Sequence, residues 1–97
     1  MTNLTGMEER ERALKDIQKL EHRIVEFKKL DLVEKYKEVF EYVENYYADA
    51  KHFYSEGKFF TAFGAANYAY GFIDAVLIIE GKLEAEEEER VEGNESG

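Results

Sequence analysis

The chain has 97 residues, 44% of them hydrophobic, a net charge of −9, no proline and no cysteine. That length fits one domain with a real core, and the lack of cysteine excludes disulfides, thiolate nucleophiles and sulfur-ligated metal sites. The acid excess argues against a grip on nucleic acid, which depends on clustered Lys and Arg.

Without proline, a chain of this size reads as helices joined by short turns, so the expected class is all-α. The N-terminal stretch MTNLTGMEERER lacks the basic and apolar regions of a signal peptide. No uninterrupted apolar run reaches the ~20 residues of a membrane span. A soluble cytoplasmic protein with no membrane attachment is the expectation.

Helix one is predicted to open near Thr5, where Thr5 and Glu8 have the spacing of a capping box, and to run to about Lys29. Ala13, Ile17, Leu20, Ile24 and Phe27 draw one apolar stripe along it. Asp31 and Glu34 repeat the capping-box form, which places a tight corner at Leu30–Asp31 and starts helix two there. The competing possibility is one long helix through this point.

Helix two carries Leu32, Tyr36, Val39, Val43, Tyr46, Ala50 and Phe53 in alternating steps of four and three, widened by Val33, Phe40, Tyr47 and Tyr54. Gly57 is its predicted stop. Helix three then runs from about Lys58 to Glu80, with Phe59, Phe63, Ala66, Tyr70, Ile73 and Leu77 as its main row. A second row, Ala62, Ala65, Ala69, Phe72 and Val76, is also apolar, and Asp74 is the lone charge between Phe59 and Ile79. Gly81 ends the helix. Residues 84–97 hold seven acids and one Arg and are expected to be a disordered acidic tail after a bundle domain of residues 1–83.

Short connections make consecutive helices antiparallel, so the expected architecture is an up-and-down three-helix bundle. Equal rise outward from each turn places Asp49 near Ala66 and Asn67, Asp74 near Tyr42, Tyr42 near Lys19 and Asp49 near Arg12. Three helices cannot easily cover all of helix three. Ala62, Ala69, Phe72, Val76 and Ile79 are therefore the candidate interface for a homodimer or another protein. Asp49, Asn67, Tyr70 and Asp74, with Tyr68 nearby, form a candidate polar pocket.

Little catalytic chemistry is offered. His22 and His52 lie on different helices in charged surroundings, and neither HExxH nor paired Glu-x-x-His is present, so no catalytic residue, metal or cofactor is expected. Gly64 and Gly71 are seven residues apart inside a helix, which suggests close helix packing. The seven tyrosines and seven phenylalanines come at heptad spacing, which suits a core better than base stacking.

Tyr46, Asp49-Ala50, Phe53, Gly57, Ala62-Phe63, Tyr68-Ala69, Gly71 and Asp74-Ala75 resemble the signature of a small archaeal family, the domain of unknown function numbered 357. The likeness implies a compact three-helix bundle and carries no established activity. This chain has Lys58 where the family usually has Asp, and Tyr70 where it often has His. A looser likeness to helical HEPN-type domains implies, as the alternative, a small-ligand or nucleotide-binding role for the Asn67, Tyr70 and Asp74 neighbourhood. The primary expectation is a non-enzymatic interaction module, self-associating or partner-binding through helix three.

Overall fold

The computed structural model describes residues 2–82. Three helices follow one another: α1 (Thr2–Lys29), α2 (Lys37–Ser55) and α3 (Phe59–Ile79). The acidic segment 84–97, expected to be a tail, lies outside the described residues. α3 is the central element and packs along both others, whereas α1 and α2 share a smaller contact.

The five-residue stripe of α1 is buried throughout, from Ala13 to Phe27. Four of its members, Ile17, Leu20, Ile24 and Phe27, join Phe40, Val43 and Ala50 of α2 and Ala66, Ile73 and Leu77 of α3 in one cluster. Phe27 and Phe40 stack at 5.5 Å between ring centroids. Burial of such side chains is the main stabilising term, at ~25 cal/mol per Å² of apolar surface removed from water.

All three helices end in the same way. The residue just past each helix has a left-handed backbone: Asp31 at φ 65°, Gly57 at φ 80° and Gly81 at φ 69°. Its N–H bonds back to the carbonyl three residues earlier (Lys28, Tyr54, Ile78), and the next N–H reaches five back (Phe27, Phe53, Leu77). This paired pattern satisfies carbonyls that a helix end leaves open. The expected stops at Gly57 and Gly81 are thus found. Asp31 does the glycine's task at the first corner, since aspartate tolerates the left-handed region better than most L-residues.

Two boundaries differ from the sequence expectation. α1 is already helical at Thr2, so Thr5 is an interior residue and no cap. A capping box is a modest preference, about 1 kcal/mol, and the hydrogen-bond ladder runs through it. Asp31 likewise ends α1 and does not open α2, which starts at Lys37 after a turn over residues 33–36. The Leu30–Asp31 corner exists, and a single long helix does not.

That wider connection changes the register. Tyr47 of α2 bonds Glu21 of α1, and Phe40 stacks on Phe27. α2 therefore sits almost two turns away from the level expected on α1, and Tyr42 and Asp49 are not opposite Lys19 and Arg12. Across the short Gly57 turn the expectation is closer. The pairs Tyr54–Phe59, Tyr46–Tyr68 and Tyr42–Phe72 recede together from that turn, as antiparallel helices require.

By length and composition alone α3 could cross a membrane, with 21 residues and a mean hydropathy of 1.4, one third of its window being buried. The expectation that no segment approaches a span is corrected to that extent. Its inner face packs on both other helices.

Candidate functional site

The two flanks of α3 are chemically unlike. Toward α1, three residues at helical spacing meet three counterparts. Asn67 Nδ2 donates to Asp16 Oδ2 at 2.7 Å, the Tyr70 ring lies 4.9 Å from Lys19 Nζ and 5.6 Å from the Arg23 guanidinium carbon, and Arg23 Nε stands 3.3 Å from Asp74 Oδ1. Each pair keeps the same offset along the chain, which means that α1 and α3 run parallel, as in an up-down-up bundle.

Arg23 is the centre of this seam. Burial pulls its pKa down, but hydrogen bonds to Glu26 and Tyr70 and the neighbouring charge of Asp74 outweigh it and raise the value above that of a free guanidinium. A guanidinium with its stem packed and its head paired is held firmly in the charged form. Asn67, Tyr70 and Asp74 are thus brought together as expected, yet as links to α1 and not as the wall of a pocket. Asp49 is exposed on the opposite flank of α3, and Tyr68 is there too.

Toward α2 the contacts are rings. Tyr42 stacks on Phe72 at 5.7 Å, Phe72 meets Tyr68 edge-on at 5.1 Å, and Tyr68 meets Tyr46 edge-on at 4.7 Å. These are favourable aromatic geometries, worth about 0.5–1.5 kcal/mol each beyond area. Next to them is an open depression of about 480 Å³ lined by Tyr46, Asp49, Phe53, Phe60, Gly64 and Tyr68. Phe60 is 76% exposed there and Tyr68 54%.

Two polar clasps close the bundle. Tyr47 donates to Glu21 Oε2 at 2.6 Å, and burial, then that carboxylate, pushes the Tyr47 phenol up to about 12. Tyr36 donates to Glu80 Oε2 at 2.5 Å, and Lys35 Nζ lies 2.9 Å from the same oxygen. The phenol hydrogen bond, then the one from the ammonium, lowers the Glu80 pKa.

The expected interface row is largely core. Ala62 and Ala69 are fully buried, Val76 is 5% exposed and Phe72 is half-buried, leaving Ile79 at 71% as the exposed member. The reason is the central place of α3: its two apolar rows are both taken up by the neighbours α1 and α2. The exposed apolar residues are others, Phe60, Tyr68 and Ile78 with Ile79. They were legible as the remainder once both core rows were removed, because Phe60, Gly64, Gly71, Ala75 and Ile78 recur at steps of four, seven, four and three.

The glycines need the same correction. A Cβ built on Gly64 or Gly71 meets nothing within 4 Å, so close packing inside this chain does not explain them. Both face solvent. The histidines stay apart: His22 is exposed on α1, and His52 on α2 lies beside the local neighbours Glu56, at 3.3 Å, and Phe53. Among the described residues no three His, Asp or Glu side chains group as metal ligands.

Comparison with known proteins gives no match among curated proteins or solved structures. A family model does match, over residues 10–81, and its span takes in all three buried stripes, the Gly57 turn and the exposed row of α3. The chain therefore belongs to the DUF357 family, described as a protein of unknown function.

Proposed function

We propose that this chain is a non-enzymatic helical interaction module that docks a protein on the α2–α3 face. The observation that carries the proposal is the exposed, charge-free face of α3, with Phe60, Tyr68, Ile78 and Ile79 in solvent beside two unfilled glycine positions. Soluble monomers seldom leave apolar patches of more than a few hundred Å² uncovered without a use. Aromatic side chains are also the favoured anchors of protein interfaces, since they cover much area at little entropic cost. The small-ligand alternative draws on Asn67, Tyr70 and Asp74, whose side chains are engaged by Asp16, Lys19 and Arg23.

A photoreactive amino acid placed at position 60 or 68, and at the exposed His22 on α1 as control, tests the proposal in living cells. Protein adducts at 60 and 68 but not at 22 are expected. Absence of adducts at 60 and 68 would defeat it.

A further inference from the structure

Resting on that reading, we infer that the partner on this face is a second copy of the same chain, its α3 antiparallel to the first across a two-fold axis near residues 69 and 70. Three observations lead there. The first is charge. Along α3 the only charged side chain between Lys58 and Glu80 is Asp74, and it is turned to Arg23 of its own α1. On a molecule of net charge −9, a second copy can lay its α3 along this strip without setting acid against acid on α3, the carboxylates that border it, Asp49 of α2 and Glu9 of α1, standing at its edge by Phe60.

The second is shape. A two-fold interface must be self-complementary, because the same patch faces itself reversed. The exposed row is bulky at both ends, with Phe60 and Ile78–Ile79, and small between, with Gly64, Gly71 and Ala75, while Tyr68 projects near its middle. Reversed about its midpoint it sets Phe60 against Ile79 of the second copy, Gly64 against Ala75, and Tyr68 over the open position at Gly71. Each large side chain then meets a gap or another end, and the contact at the centre occurs twice.

The third is area. Phe60, Ile79, Tyr42, Tyr68 and Ile78 are 76, 71, 57, 54 and 41% exposed. At roughly 200 Å² for a fully exposed side chain of this size, they leave about 600 Å² uncovered per copy. Two copies offer about 1,200 Å², the lower end of what specific association needs. Two mid-helix glycines, each unfavourable by about 0.5–1 kcal/mol relative to alanine, are explained by the room they leave for Ala75 and Tyr68 of the second copy.

The chain has no cysteine, so single cysteines report the pairing directly. Gly64→Cys and Ala75→Cys both enter open helical surface and leave the fold intact. In the antiparallel arrangement each residue 64 is next to residue 75 of the other copy. The two residues 64 are then separated by about 16 Å along the axis, beyond the ~7 Å that a disulfide can bridge. An oxidised equimolar mixture is expected to yield a species of twice the chain mass, and either variant alone is not. Light scattering of the unmodified protein is expected to show a concentration-dependent rise toward twice the chain mass, with Phe60→Glu moving its midpoint at least tenfold higher. A constant monomer mass, or cross-linking of Gly64→Cys with itself, would overturn the inference. In-cell adducts at positions 60 and 68 made solely with other proteins would overturn the second copy while leaving the docking role intact, and no adducts would remove both.

Discussion

The α1 and α2 flanks of α3 solve the same packing problem with opposite chemistry. Against α1 the rim of the core is sealed by polar and charged pairs, Asp16–Asn67, Lys19–Tyr70 and Arg23–Asp74, evenly spaced along both helices. Against α2 it is sealed by rings, and the apolar surface runs on past the seal to Phe60, Tyr68 and Ile78. A polar rim tells the solvent where the protein ends. An aromatic rim leaves the edge open, and that difference locates the candidate site on the α2 side.

The comparison breaks most sharply between core and open face. Ile73→Ala removes a fully buried side chain and should destabilise the bundle by about 3 kcal/mol, by lost transfer energy and the cavity left behind. Ile79→Ala, six residues on and 71% exposed, should change stability by less than about 0.5 kcal/mol in dilute protein. Urea unfolding of both variants is the check, and equal losses would mean that the two faces are wrongly distinguished.

The polar flank comes next in size. Arg23→Met keeps most of the packed stem but leaves Glu26, Tyr70 and Asp74 without their shared cation, so a loss of about 2 kcal/mol is expected. Adding Asp74→Asn should recover part of it, because one acid no longer faces a lost partner. A double-mutant cycle by chemical unfolding measures that coupling. Strict additivity would show the seam to be a row of unrelated surface pairs.

On the α2 side the corresponding change should have the opposite sign. Gly64→Ala and Gly71→Ala place methyl groups in open space on a helix, so each should stabilise the dilute chain by about 0.5–1 kcal/mol, a rise of several degrees in Tm. Calorimetry at low micromolar concentration is the measurement. A fall in Tm would return the glycines to an intramolecular packing role.

Much of this fold was legible because three stripes and two glycines are written at helical spacing. Ala13 to Phe27 could only be one face of a helix, and Gly57 and Gly81 stand where left-handed caps occur. The first corner was half legible. Asp31 was recognisable as a breaker, but its spacing to Glu34 also fits a helix start, and only the backbone decides that it closes α1. From that one residue follow the late start of α2 and the changed register against α1. The site was misplaced for a different reason. Periodicity says that a row is apolar, not how many neighbours the helix has, so it does not reveal that Ala62, Ala69 and Val76 face inward on an α3 covered from two sides.

Acid probes the α2 flank at a single place. The α2 side has one charged clasp at the end of α3, where Tyr36 and Lys35 converge on Glu80 Oε2, and these two hydrogen bonds hold the Glu80 pKa below its ordinary 4.5. A carboxylate whose pKa is lowered by folding adds stability above its unfolded value and loses it as pH falls through the folded value. Tm measured from pH 7 down to pH 3 should therefore be lower for Glu80→Gln than for the natural chain at neutral pH, with the two curves converging once the pH has dropped below the lowered pKa. The size is small because Lys35 is largely exposed and the pair is screened by salt. Convergence is the informative feature: a gap that persisted at pH 3 would assign the loss to the shape of the Tyr36 contact, while no gap at pH 7 would leave the α2 flank held by its rings alone.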